Sequence, residues 1–236
     1  MAEVFRRVFD AVTSFIGLCI IAPVLGVAAL MIWSYDGCSP FYLAPRVGRG
    51  GKDFFQFKLR SMVVQPETST VVSTKADDPR ITPMGHFIRR LKLDEVPQLW
   101  NVLKGDMSLV GPRPNVRQET ELYTPFERQL LEVRPGITDF SSIMFSDLGS
   151  ILTGQTDPNE GYKVMVRPIK SQLGVFYLDH RTFWVDIRIL YWTAVLLFSR
   201  RAARAGVERM LIRLGANQDL VDLATCRRES ESLGLP

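Results

Sequence analysis

The sequence is poor in the residues that build metal clusters and disulfide scaffolds. Its 236 residues include three cysteines and two histidines. Cys19, Cys38 and Cys226 are scattered, form no CxxC pair and have no histidine at zinc-site spacing. This excludes a disulfide framework and a zinc site, and fits a body that faces a reducing cytoplasm. His86, near several arginines, and His180, between Asp179 and Arg181, read as surface or packing residues. The charge imbalance is also small: 29 Lys+Arg against 25 Asp+Glu, a formal net charge of +4. The positive residues gather beside apolar segments, which points to a membrane surface or phosphate ligands and not to nucleic acid. No internal repeat is evident, and the length suits one sizeable domain with an attachment.

Charge is missing altogether between Ala11 and Trp33, AVTSFIGLCIIAPVLGVAALMIW. At ~1.5 Å per helical residue this stretch is long enough for a ~30 Å hydrocarbon core, so it reads as membrane-embedded. Arg6 and Arg7 imitate the start of a cleavable signal peptide, but the apolar run exceeds a usual h-region and no small-x-small cleavage site follows. Pro23 removes a backbone hydrogen bond and crowds the carbonyl of Cys19, so a kink is predicted at Ala22-Pro23. The helix then either spans the bilayer or returns to the face it entered. Arg6 and Arg7 before it, and Arg46, Arg49 and Lys52 after it, place basic residues on both flanks, which favours the re-entrant form.

Beyond the anchor, Phe41 to Met62 reads as short extended segments joined at Gly48, Gly50 and Gly51. Val63 to Asp78 is polar and aperiodic, a surface loop. Between Asp78 and Pro114, Asp94 is placed as an N-cap and Pro97 in the first helical turn. Val96, Leu99, Trp100 and Leu103 follow as an apolar stripe that Gly105 ends. A helix is expected over Gln118 to Leu131, then a turn at Arg134 to Thr138, with helical spacing resuming near Tyr162. Phe183 to Phe198 is apolar but contains Asp186 and Arg188, which suits an interfacial or core helix better than a span. Arg200, Arg201 and Arg204 follow, positioned to meet anionic headgroups, then an amphipathic run over Val207 to Leu214 and a polar tail expected to fray.

An Asp-Glu pair at a helix start is by itself a common capping device. Asp94 and Glu95 stand out through their company: Lys58, Arg60, Arg80, Arg89, Arg90 and Arg113. A hydrophobic core has no use for so many cations around two carboxylates, whereas a pyrophosphate site does, because guanidinium forks match phosphate oxygens. Trp100 and the Phe54, Phe55 and Phe57 cluster are read as core residues in preference to a base-stacking platform.

The segments KLRSM, DPRIT, LDEVPQLWNVLKGDMSLVGPRP and RPGIT resemble, in order and spacing, the monotopic phosphoglycosyl transferases, or bacterial sugar transferases, in particular their small membrane-anchored members. The likeness runs from about Phe5 to Thr138. It implies an α+β, mostly helical fold: a re-entrant membrane helix over residues 1–36, a small cytoplasmic catalytic domain with interfacial helices over 37–204, and a helical extension and tail over 205–236. It implies transfer of a phospho-sugar from a UDP-sugar to a polyprenyl phosphate such as undecaprenyl phosphate, releasing UMP at the bacterial inner membrane as the first membrane step of surface glycan assembly. By the same likeness Asp94 is the nucleophile of a covalent phosphosugar intermediate, and Glu95 assists it in binding Mg²⁺. Arg89 and Arg113, with Lys58, Arg60 and Arg80, bind phosphate, and Ala22-Pro23 is the membrane hinge. Many relatives have Ser where this chain has Ala22, and continue after RPGIT with Gly-Leu-Trp-Gln where it reads DFSSIMFSDLGS, which leaves the sugar open. A homo-oligomer and downstream glycosyltransferases are the protein partners left open. The alternatives are a metal-dependent nucleotide-sugar hydrolase and a non-catalytic membrane scaffold.

Overall fold

The structure is a computed structural model that describes residues 2–64, 78–146 and 166–225. The loop expected over Val63 to Asp78, the end of DFSSIMFSDLGS from Asp147, the spacing near Tyr162 and the final residues from Cys226 lie largely outside the described residues. Helix α1 (Ala2–Asp36) contains the whole uncharged stretch, and its helical assignment passes through Pro23 without a break. The expected kink therefore does not divide it into two helices. One face of α1 is an exposed apolar strip that includes Val12, Phe15, Ile16, Ile20, Val27 and Leu30. Water-facing helices do not carry such a strip, so α1 is a membrane-contacting element.

The opposite face of α1 packs on the body along its full length. Arg6 Nε lies 2.6 Å from Asp186. Arg7 donates to the carbonyls of Val102 and Leu103, and Asp10 accepts from the Ser108 hydroxyl at 2.6 Å. Near the middle, Gly17 lies against Leu99, where an added Cβ would come within 3.3 Å of its Cδ1. Toward the far end, Ala28 and Ile32 form a small core with Leu59 and Ile88, bordered by Leu25, Met84 and Leu93. Asp36 finally takes a two-pronged ion pair from Arg60. The charges that flank the apolar stretch thus hold both ends of α1 to one body.

Strands β1 (Phe41–Val47) and β2 (Asp53–Leu59) form an antiparallel hairpin with Phe41 opposite Leu59 and Val47 opposite Asp53. Gly50 and Gly51 take positive φ at the turn, as the glycine spacing predicts. After α2 (Pro83–Arg90) comes a 3-10 turn at Leu93–Glu95, then α3 (Gln98–Lys104). Strands β3 (Ser108–Val110) and β4 (Gly136–Thr138) pair in parallel. Just beyond β3 the chains nearly touch: a Cβ on Gly136 would lie 2.1 Å from Gly111 N, which explains a glycine in both VGPRP and RPGIT.

The helix expected over Gln118 to Leu131 is broken. It appears as α4 (Arg117–Thr120), α5 (Pro125–Arg128) and a 3-10 turn at Gln129–Glu132. Pro125 cannot continue a helix but can start one, and Thr124 with Glu127 closes a capping box around it. The main core gathers where α6 (Phe140–Met144), α7 (Arg167–Asp179), α8 (Phe183–Leu196), α9 (Arg200–Arg213) and α10 (Gln218–Thr225) meet. Two expectations about the carboxyl-terminal part give way here. The division at residues 204 and 205 falls inside α9, which sends Ala203, Val207, Met210 and Leu211 into the main core. Gln218–Thr225, expected to fray, is α10, because Leu220, Val221 and Ala224 share one face at i, i+1, i+4 spacing and are buried there.

Candidate active site

Asp94 and Glu95 lie at the junction of the small core under α1 and the β1–β2 hairpin. Three backbone devices place them. Lys92 closes α2 in the left-handed region, φ 58°, which reverses the chain. Leu93 then anchors on the core beneath α1. The 3-10 turn presents the two carboxylates in sequence. Asp94 is therefore not the N-cap of α3: that helix begins at Gln98, with Pro97 in the cap position and no side-chain cap. A carboxylate not used for capping is available for chemistry.

Two buried amides missed by the sequence reading lock this turn to β2. Asn101 Oδ1 accepts from Phe57 N at 2.8 Å, and Asn101 Nδ2 donates to the Phe55 carbonyl at 2.7 Å. Gln56 Nε2 donates to Gln98 Oε1 at 2.9 Å. Gln98 and Asn101 sit at i, i+3 on one face of α3, and that spacing was the available signal. The result fixes Lys58, on β2, relative to the dyad. Of the aromatic residues read as core, Phe54 packs against the main cluster, but Phe55 and Trp100 are exposed, because neighbouring residues of β2 and α3 take the inward positions.

The two carboxylates have different surroundings. Glu95 accepts a fork from Arg113, with Nη2 to Oε1 at 2.6 Å and Nη1 to Oε2 at 3.0 Å, and Arg113 also donates to the Ile137 carbonyl. Burial pushes the Glu95 carboxyl up, but Arg113, by charge and hydrogen bond, and Lys58 overcome it and hold the group well below the usual carboxylate range. Asp94 is pushed the other way, by burial and then by the charge of Glu95, and Lys58, Arg89 and Lys92 offset this only in part. Burial and the neighbouring charge therefore govern Asp94. Its Oδ1 is buried and accepts no hydrogen bond.

Of the other predicted residues, Lys58 and Arg113 meet the dyad directly by charge, and Arg89 acts on Asp94 while donating to Ser61 Oγ at 3.0 Å. Arg80 forms a pair with Asp78 in its own turn, where Asp78 also feels Arg89. Arg60 is elsewhere: it secures the end of α1 through Asp36 and the Ser39 carbonyl. It shares the parity of Lys58, but β2 ends at Leu59, so the alternation that would have brought it to the site has stopped.

A metal ion among these residues has two carboxylates on offer, and among the described residues no group of three His, Cys, Asp or Glu is close enough to cage one. That donor set suits Mg²⁺, which takes one or two carboxylates and completes its shell with water and substrate phosphates. The unmet Asp94 Oδ1 fits such a ligand.

Beside the dyad is a cavity of about 160 Å³, lined by Arg46, Lys58, Arg113, Arg167, Lys170 and Asp139 among others. Lys58 and Lys170 are each pushed down to about 8, in both cases chiefly by burial. For Lys58, Glu95 opposes the shift, and for Lys170, Arg113 adds to it.

The sequence has known counterparts. The family described as bacterial sugar transferase matches residues 1–200, and the chain belongs to it. It is 34% identical over 213 residues to a UDP-galactose-lipid carrier transferase of Erwinia amylovora, covering 84% of this chain and 41% of the relative. An undecaprenyl-phosphate galactose phosphotransferase of Salmonella typhimurium is 35% identical over 216 residues, covering 84% and 41%. The uncharacterized sugar transferase EpsL of Bacillus subtilis is 33% identical over 190 residues, covering 80% and 85%. The chain thus spans about two fifths of the first two relatives and most of the third.

Proposed function

We propose that this protein is a polyprenyl-phosphate phosphoglycosyl transferase, which moves a phospho-sugar from a UDP-sugar to a polyprenyl phosphate such as undecaprenyl phosphate and releases UMP. The names of its relatives support this substrate pair. The observation that carries the reading is the contrast within the dyad: Glu95 is held by the fork of Arg113, while the neighbouring Asp94 keeps an oxygen with no partner.

In the first step an Asp94 oxygen bonds to the sugar-bearing phosphorus. The bond from that phosphorus to the bridging oxygen breaks, and its electron pair leaves with UMP. In the second step an oxygen of the lipid phosphate attacks the same phosphorus, and the pair from the Asp94 oxygen–phosphorus bond returns to the carboxylate. Both steps bring anions together, so Lys58, Arg89 and Arg113 serve to neutralise charge as the transition state forms. Asp94 and Glu95 would hold Mg²⁺, whose charge would add to that of these three cations in countering the diphosphate.

The exposed apolar face of α1, and the ion pairs that hold both its ends to one body, support reading it as a re-entrant anchor, and we assign that anchor to the cytoplasmic face of the inner membrane. Leu93 touches the core under α1, so a lipid phosphate at that interface is at the depth of Asp94. We place the reaction at the start of surface glycan assembly.

The test is the full-length protein in nanodiscs with radiolabelled UDP-sugars. Label entering the organic phase only with polyprenyl phosphate present, and a phosphosugar mass on a peptide containing Asp94, are expected. Asp94→Asn should abolish both. Label released only into water would make the protein a hydrolase, and normal transfer by Asp94→Asn would remove the nucleophile assignment.

A further inference from the structure

Helices α8 and α9 meet at a close contact. The ring of Trp192 lies on the backbone of Gly206, where an added Cβ would fall 2.3 Å from Trp192 Cε2. A glycine is what lets the indole sink between the two helices. Beside it opens a hollow of about 300 Å³. Trp192, Gly206 and the buried Met210 form its floor. Its rim is the exposed Tyr191 with three arginines, Arg188 from α8 and Arg209 and Arg213 one turn apart on α9. The Nε of Arg209 donates to the Ala205 carbonyl at 3.2 Å, which holds that guanidinium along its helix. Among the described residues no carboxylate lines the hollow.

The hollow opens on an apolar surface continuous with α1. Trp184, Arg188 and Tyr191 recur at i, i+4 and i+7, one stripe of α8, and Trp184 and Tyr191 are exposed. At the start of α8, Phe183 packs edge-on against Phe5 and Phe9 of α1 at 5.0 and 5.2 Å. At its end Leu197 and Phe198 are exposed, Phe198 at 91%. Exposed apolar residues bordered by tryptophan and tyrosine are the composition of a membrane interface. Arg200, Arg201 and Arg204, which the sequence placed at headgroups, do not line the hollow, because helical spacing turns them away from Gly206, Arg209 and Arg213. Guanidinium forks match the oxygens of a phosphodiester, and the apolar floor suits a glycerol ester. An ammonium headgroup would need an acceptor that the lining does not offer. We propose that this hollow binds an anionic phospholipid, its phosphodiester held by Arg188, Arg209 and Arg213 and its acyl chains leaving over the exposed apolar residues of α8. The lipid gives the body a second attachment besides α1 and so fixes its rotation about that helix. No residue of the dyad, nor Lys58, Arg89 or Arg113, lines the hollow. The inference rests on the membrane contact of α1 and not on the transfer reaction.

The experiment uses the full-length protein in nanodiscs of mixed phosphatidylglycerol and phosphatidylethanolamine. Native mass spectrometry of the released protein should show phosphatidylglycerol adducts well in excess of phosphatidylethanolamine adducts. A chain carrying Arg188→Gln, Arg209→Gln and Arg213→Gln together should lose the phosphatidylglycerol adducts by roughly tenfold or more, with the melting temperature and the KM for polyprenyl phosphate unchanged. Adducts that persist in this variant would overturn the proposal, as would equal retention of the two lipids by the unaltered chain. A rise in the KM for polyprenyl phosphate would assign the arginines to the acceptor lipid, and loss of a dimer with the lipid adducts intact would assign the face to a second copy of the chain. A second measurement needs no variant. Phosphatidylglycerol with a diazirine near its headgroup, photolysed in the nanodisc, should label peptides that contain Tyr191 and Trp192 or Met210. Excess phosphatidylglycerol should suppress that label and inorganic phosphate should not. Label absent from these peptides would remove the site, and suppression by inorganic phosphate would make the hollow a site for a free anion instead.

Discussion

Asp94 and Glu95 are chemically alike and adjacent, and their surroundings divide the work between them. Arg113 secures Glu95 in its charged form, while Asp94 is desolvated beside that charge and left with an oxygen lacking a partner. Two results follow for Asp94. Its pKa is raised in the folded state, so the folded protein takes up this proton at a higher pH than the unfolded chain does. The charged group therefore weakens the fold at neutral pH, and that penalty fades as pH falls toward the ordinary aspartate value. Asp94→Asn should accordingly raise the melting temperature at pH 7 while abolishing transfer, and a lowered melting temperature would contradict the burial argument. The rate of UMP release should also fall on the acid side at a pH above the ordinary aspartate range. Lys58→Met removes a cation that opposes the shift, so the acid limb should move to higher pH as well as the rate dropping. An unmoved limb would mean that Lys58 does not act on Asp94.

At the scale of elements, the site depends on how α3 is fixed to β2. Asn101 satisfies a backbone donor and a backbone acceptor of the strand at once. Asn101→Ala leaves both without their partner and should cost about 2 kcal/mol of stability, read by thermal unfolding in detergent. It should also lower kcat for UMP release with little change in the KM for UDP-sugar, because the substrate's phosphate contacts remain while Lys58 and the dyad lose their mutual placement. Local pattern foretold the β1–β2 hairpin and α8, since periodicity and glycine turns report on the chain within a few residues, whereas the grouping of Lys58 and Arg113 with the dyad came from the motifs that carry the family resemblance. It did not foretell that Arg60 leaves the strand, that Lys92 supplies a left-handed turn without glycine, or that Lys170 arrives from α7. Those features depend on contacts between residues far apart in sequence, which no local period records. The breaks around α5 were readable in principle from Thr124, Pro125 and Glu127, but the apolar spacing on either side suggested one continuous helix.

The whole molecule is organised by a helix fastened at both ends. Arg6, Arg7 and Asp10 hold the start of α1 to α8, α3 and β3, and Arg60 holds Asp36 at its close. A helix crossing a bilayer places its ends on opposite faces, roughly 30 Å of hydrocarbon apart. The ion pairs at both ends of α1 are made with a single body, so a spanning arrangement would have to break one set of them and leave desolvated charges behind. The topology can be tested with the cysteines the chain already has. Cys38 is exposed just beyond the end of α1, and Cys19 lies within its uncharged stretch. In a background with Cys19 and Cys226 replaced by serine, Cys38 reports one end, and Val4→Cys in a chain also lacking Cys38 reports the other, since Val4 is exposed. A membrane-impermeant maleimide should modify both from the cytoplasmic side of inverted vesicles and neither from the outside of intact spheroplasts. Modification of the two positions from opposite sides would establish a spanning helix and detach the anchor argument from the site. If both react from the cytoplasmic side, the unaltered Cys19, which lies between them, should stay protected from the same reagent, because only its immersion in hydrocarbon would then account for the exposed apolar face of α1.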